Sequence, residues 1–423
     1  MVGERSAAAS PGAERSGVTK VPGRLAKPRE PESSPAAHGG GAQRAKGRTA
    51  GHAYAWDVLD DPAFISRVRD VGVDTATIAA SYHSTRAATP LHPTHQVVTA
   101  DYAALYRPVR EEAWKDRRLA PLAPRWLDEP DPFGTAAHTV RDAGLKVAAW
   151  IVLTHNTRLG TANPDVAVVN CFGQSYPYAL CPSHEEVREY AATLAAEALR
   201  DVEVDEVSLE ACGQLGLTHL NHHEKTDDAW TPDAQRLLSV CCCAACRGAW
   251  RGLGLDPDRT VGGLRAAVRA EAEGEVAGVE DLDEVLAARH AAADALRAQV
   301  LAEVREQAPG VPVTLHAHPD PWVTGASPGL TPTAAADVEA VLVPCWPTAP
   351  TTANLVSRAA DAGKPVDVYV TVLPPADPAS LPAHLVRLRA AGASRLSLYH
   401  LGLAPRWRLP YLREMVETWQ HLD

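Results

Sequence analysis

A rhythm constrains this chain more than any single residue. Between Gly51 and Asp423, short runs rich in Val, Ile, Ala and Leu begin after amphipathic stretches, and most end in a polar or aromatic cluster. Eight such runs stand at 53–56, 75–80, 147–152, 206–209, 313–317, 340–343, 366–372 and 396–399. Several are apolar without interruption, which suits strands covered on both faces better than the one-sided strands of an antiparallel sheet. Strands of this kind alternating with helices predict an α/β fold, a closed (β/α)8 TIM barrel.

The helices expected between them cover 62–71, 133–143, 184–199, 282–307, 331–337, 352–362, 379–391 and 410–421. Gly72, Gly144, Gly363 and Gly392 stand where four of these should stop, as a helix C-terminus favours. Two strand-to-helix connections far exceed the usual few residues, one over about 82–131 and one over 211–281. The second carries helical segments at 232–252 and 261–274, and reads as a Cys-rich helical insertion over the C-terminal face. Residues 1–50 hold almost no large apolar side chain. They are expected to form a disordered tail, because they cannot offset their own ordering entropy.

With 46% hydrophobic and 22% charged residues, the chain can bury a large core. A net charge of −11, with no basic run interleaved with aromatics, argues against a nucleic-acid partner. No stretch reaches the roughly 18 apolar residues of a membrane span, and the start of the chain lacks the layout of a secretory signal. A cytoplasmic protein with no membrane partner is the expectation. The spacing of Cys241, Cys242, Cys243 and Cys246 is unlike a secreted disulfide framework and agrees with a reducing compartment.

In a barrel, the side chains able to converge on one substrate sit at the carboxyl ends of the strands. Glu210 is the sharpest of them: Glu206, Ser208 and Glu210 share the period-two phase of one strand, and Glu210 falls where it opens. A carboxyl enclosed there would have its pKa raised and could protonate a leaving group. The structural alternative is an ion pair with Arg86 or Lys225. Strand seven supplies no second acid, since Asp367 lies at its amino end, so the assisting group is sought at His318 or Asp320, with Glu224 and Asp57 behind them.

Substrate contacts are expected from Trp56, His83 and Arg86 on the first two strand ends, and from Trp150, His155 and Asn156 on the third. The segment with His222, His223, Glu224 and Lys225 is dense enough in donors and acceptors for a substrate clamp, or else is a solvated turn. His316, Trp346, Tyr369, Tyr399 and His400 complete the rim. His316 and His318 share a strand phase, which raises metal binding as an alternative to histidines that orient a polar substrate. Indoles at strand ends suit the apolar face of a sugar ring, or simply fill the wide end of the barrel. No cofactor is required. A structural zinc on Cys241, Cys243 and Cys246 is weighed against a buried thiol cluster, because no second Cys pair follows at finger-like spacing.

The motifs Ser81-Tyr82-His83-Ser84-Thr85-Arg86, His155-Asn156, Leu209-Glu210-Ala211-Cys212-Gly213 and His222-His223-Glu224-Lys225, with the cysteine cluster, are similar to those of an uncharacterised, alanine-rich bacterial family of glycoside-hydrolase-like barrels. That resemblance spans about residues 51–423 and implies the barrel and a glycosidase-like ancestry. Barrel glycosidases at large place an acid/base Glu after strand four and a nucleophilic Glu after strand seven; Glu210 matches the first, and nothing here matches the second. Three functions follow as expectations. The first is a carbohydrate-active hydrolase or lyase acting on a small molecule or oligosaccharide through Glu210. The second is a catalytically silent barrel that binds a glycan or a protein, and the third a metal-dependent hydrolase using His316 and His318.

Overall fold

The structure, a computed structural model, describes residues 47–218, 225–226 and 229–422. Its centre is a closed barrel of parallel strands: β1 Arg48–Ala53, β2 Thr75–Tyr82, β3 Lys146–Val152, β4 Glu206–Glu210, β5 Val313–His316, β6 Ala340–Pro344, β7 Val366–Thr371 and β8 Ala393–Tyr399. Each pairs with its neighbours in sequence, and β1 closes the ring by pairing with both β2 and β8. The expected (β/α)8 architecture is the one observed. An additional short strand, Ala104–Leu105, runs antiparallel along the end of β2.

The strands form where both faces can be covered. In β3 every residue after Lys146 is buried, and β2, β4 and β7 are buried throughout. Helices Phe64–Val71, Pro132–Asp142, Glu185–Leu199, Leu282–Gln307, Ala334–Asp337, Thr352–Ala360, Leu381–Ala390 and Leu409–His421 follow the strands in turn. Gly72 stops the first of them with φ 86°, a left-handed conformation that costs a residue with a Cβ. Gly144, Gly363 and Gly392 also have positive φ.

The first strand departs from expectation. It was expected at 53–56, but those residues finish the strand and turn into the short helix Ala55–Val58. The strand itself is poor in large apolar residues: Thr49 is tied through its N–H and hydroxyl to Asp74, each at 3.0 Å, and His52 is buried. The apolar cluster used to locate it therefore lies just past its end, and Arg48, Thr49 and Ala50 belong to the sheet. Within the insertion, the single segment expected at 232–252 is two helices, Pro232–Leu238 and Ala244–Gly252, and the next helix is Pro257–Ala272. The third connection, between β3 and its helix, also carries its own elements, a helix Thr157–Ala162 and a hairpin of Ala167–Val169 with Ser175–Leu180. Among the described residues, no helix is long and apolar enough to cross a membrane.

At the amino end of the barrel the interior is charged. Arg395 of β8 pairs with Glu206 of β4 and, at 2.8 Å, with Asp367 of β7, and all three are buried. Arg48 reaches Glu206 from the rim at 3.2 Å. Burial pushes the Asp367 carboxyl up to about 6, against the pull of Arg395. One guanidinium thus holds two carboxylates in a site where neither would be tolerated alone. Replacing it with an uncharged side chain, Arg395→Met, is expected to cost about 3–5 kcal/mol of stability, read from urea unfolding. An unchanged midpoint would show that the network contributes nothing.

Candidate functional site

Inward-facing residues two apart on a strand stack into layers along the barrel axis. In β4 the charged layer holds Glu206, Ser208 comes next, and Glu210 stands at the mouth. Register brings β5 alongside, Leu315 opposite Leu209. His316 thereby lies between them: its Nε2 is hydrogen-bonded to Ser208 Oγ at 2.9 Å, and its Nδ1 faces Glu210 Oε2 at 3.6 Å. From β3, the Trp150 indole N–H donates to Glu210 Oε2 at 2.8 Å, and its ring lies parallel to His316 with centroids 6.4 Å apart.

Glu210 is 4% exposed. Burial raises its pKa to about 8, although the Trp150 bond, which favours the carboxylate, works against that. Burial also depresses His316 to about 3. At neutral pH, a protonated carboxyl therefore faces a neutral imidazole. Arg86 and Lys225 are both exposed, so the ion-pair alternative does not describe this buried acid.

Aromatic side chains surround it. Tyr82, Tyr369 and Tyr399 lie near enough that an ionised Glu210 would raise the pKa of each of their hydroxyls. The Tyr54 hydroxyl donates to Tyr82 at 3.3 Å, and Tyr399 adds a third hydroxyl to that group. Trp346 stacks on Tyr399 at 5.1 Å, and His52 packs on Tyr369 at 4.4 Å. Several buried polar atoms here lack a protein partner among the described residues: Tyr369 Oη, Trp346 Nε1, His400 Nε2 and both ring nitrogens of His52. Such atoms are costly in a core and useful in a site.

A second acid lies at the end of β1. Asp57 accepts from the Tyr54 backbone N–H at 2.8 Å and lies 3.7 Å from His400 Nδ1, while its Oδ1 has no partner. Burial raises it to about 7 and lowers His400 to about 3. Gly402 makes room for this carboxyl, since a Cβ there would lie within 2.1 Å of it. His400 packs on Tyr54 at 4.3 Å and so joins Asp57 to the aromatic group.

Other expected site residues lie elsewhere. The structure brings His316, rather than His318, to Glu210, because His318 is past the strand end. There its Nδ1 accepts from the Asp320 N–H at 3.0 Å. Asp320 in turn accepts from the Trp322 N–H at 3.0 Å and lines a separate cleft of about 260 Å³ with Trp322 and Arg236. Asn156 is committed to the fold: its Oδ1 caps Leu159 N at 3.0 Å and its Nδ2 donates to Tyr190 at 3.1 Å. Trp56 belongs to the short helix Ala55–Val58 and stacks beneath Tyr54 at 4.3 Å. His83 and His155 stack on each other at 4.2 Å beside Tyr82, while Arg86 sits exposed on the hairpin Thr85–Ala88 with Val97–Ala100. His222, His223 and Glu224 lie outside the described residues. His52 was missed altogether; a correct start for β1 would have found it, since it precedes Tyr54 by two and shares its phase.

No family model matches the chain, and no curated protein matches it in sequence. Solved structures do match it in fold. An α-L-fucosidase isoenzyme 2 from Paenibacillus thiaminolyticus superposes with TM-score 0.57 at 12% identity, over 87% of this chain and 48% of that one. The PgaB (BpsB) glycoside hydrolase domain from Bordetella bronchiseptica gives 0.55 at 15% identity, over 87% and 98%. A β-galactosidase from Bacillus circulans sp. alkalophilus gives 0.54 at 13%, over 88% and 55%. The chain thus spans about half of the fucosidase and the galactosidase and nearly all of the hydrolase domain. The fold it shares with them is a (β/α)8 TIM barrel.

The elevated Glu210 pKa has a consequence for stability. A carboxyl raised on folding stabilises the native state fully at low pH, and that contribution is lost as pH rises towards about 8. Glu210→Gln cannot ionise, so its stability relative to wild type should climb by up to about 1.4 kcal/mol per pH unit between about pH 5 and about pH 8, then level off. Paired denaturation curves across that range test this, and a constant difference would place the Glu210 pKa in the ordinary range.

Proposed function

We propose that the chain is a carbohydrate-active hydrolase in which Glu210 is the general acid/base. The observation that carries this reading is a buried carboxyl at the end of strand four, held protonated at neutral pH and bonded by an indole. General acid catalysis needs a proton donor whose pKa lies near the working pH, and burial supplies it. The rings of Trp346 and Tyr399 suit the apolar face of a sugar, and the tyrosine hydroxyls suit its polar edge. Asp57, part-ionised at neutral pH and 3.7 Å from the neutral His400 ring, supports a role as the second acid that strand seven does not provide. The buried cysteines, free in the structure, favour a reducing, cytoplasmic setting.

A second reading, a barrel that binds a glycan without turning it over, is favoured by Tyr369 on β7, where the wider clan carries a nucleophile, and by the close packing of the mouth. The metal-dependent alternative has less support. His316 spends its ring on Ser208 and Glu210, and His318 turns to Asp320.

A panel of aryl glycosides separates the first two readings. For an active enzyme, Glu210→Gln should lower kcat by about 10²–10⁴-fold with the fold intact, and Asp57→Asn should lower it as well. Wild-type rates in Glu210→Gln would end the acid/base assignment. Absence of turnover on the whole panel, with thermal stabilisation by a sugar, would favour the binding protein.

A further inference from the structure

The insertion after β4 holds a feature that the barrel chemistry does not use. The Sγ atoms of Cys181, Cys241, Cys243 and Cys246 all lie within 4.8 Å of one another, and all four side chains are buried. Cys181 ends the hairpin of the third connection, while the other three come from the turn and helix start between Pro232–Leu238 and Ala244–Gly252. Expected on one continuous helix, these cysteines instead straddle its break: Cys243 is the N-cap of the second helix and Cys246 lies in its first turn. Cys242, in the middle of the run, points away, towards the Val240 carbonyl at 3.6 Å.

The spacing discriminates between possible fates. Cys181 and Cys246 Sγ are 3.5 Å apart, and Cys181 and Cys243 are 3.8 Å apart, far longer than a disulfide bond. Four sulfurs at about 2.3 Å from a tetrahedral zinc stand about 3.8 Å from one another. Polar groups adjoin the cluster. Ser183 Oγ lies 3.1 Å from Cys246 Sγ, and Cys243 stands at the N-cap of helix Ala244–Gly252 without a side-chain capping bond. Arg289, 6% exposed, donates its one hydrogen bond to the Ser239 carbonyl at 3.2 Å and lies over the Trp322 ring, 5.4 Å from its centroid. A tetrathiolate zinc of net charge −2 in this part of the insertion would be complemented by that cation.

We propose that Cys181, Cys241, Cys243 and Cys246 bind one structural zinc ion. Each thiol loses its proton and forms one Zn–S bond, so binding of one Zn²⁺ releases four protons. All four positions being filled by protein, the ion is closed to substrate, and it ties the third connection to the insertion. The same two segments also meet where the Tyr176 hydroxyl donates to the Leu238 carbonyl at 3.0 Å and the Cys242 N–H donates to the Val169 carbonyl at 2.6 Å.

The test is metal analysis of the full chain purified under reducing conditions from zinc-supplemented medium. About one zinc per chain is expected, falling below about 0.2 in Cys181→Ser and in Cys243→Ser and staying near one in Cys242→Ser. Should the ligand variants fail to fold, the wild type still decides. Mercurial titration should release one zinc as four thiols react, and zinc X-ray absorption should show a first shell of four sulfurs at about 2.3 Å. A metal-free wild type, a Cys181–Cys246 disulfide, bound iron, or a shell containing nitrogen or oxygen would each overturn the assignment.

Discussion

Closure of the sheet governs everything else in this molecule. Because β1 pairs with both β2 and β8, every inward-facing side chain is committed to one axis, and residues as distant in sequence as Arg395 and Glu206 become neighbours. An open sheet would leave Glu210, His316 and Tyr369 as separate features of a surface. In a ring they share one low-dielectric interior, where charges are expensive and each polar atom must be answered.

The two ends of that interior meet the expense differently. At the amino end, opposite charges are brought together and kept, Arg395 between Asp367 and Glu206. At the mouth no such cation stands among the described residues: burial and one indole hydrogen bond are what act on Glu210, and the group resolves the conflict by holding its proton. The same chemistry, a buried carboxyl, therefore yields a structural ion pair in one layer and a proton donor in the other.

Much of this could be read from the sequence, and the failures have physical causes. Strands buried on both faces are apolar runs, so β2 to β8 announced themselves, and Glu210 followed from the phase of β4. The first strand did not, because its core positions are Thr49, Ala50, Gly51 and His52, and no apolar run marks it. Misplacing its bounds hid His52 and left Asp57 undervalued. His318 looked equivalent to His316 on period two alone, but β5 ends at His316, and beyond the last ladder bond the alternation no longer applies. The cysteine run was conspicuous. Its fourth member was invisible, since Cys181 lies 65 residues before Cys246 and meets it only through a hairpin that no periodicity signalled.

The bond between Trp150 and Glu210 also settles a matter of direction. An indole N–H can only donate, so Oε2 of Glu210 is the accepting oxygen of that bond. A rigid ring on β3 thereby fixes how the carboxyl is turned, so that Oε2 is already engaged when any bound molecule approaches.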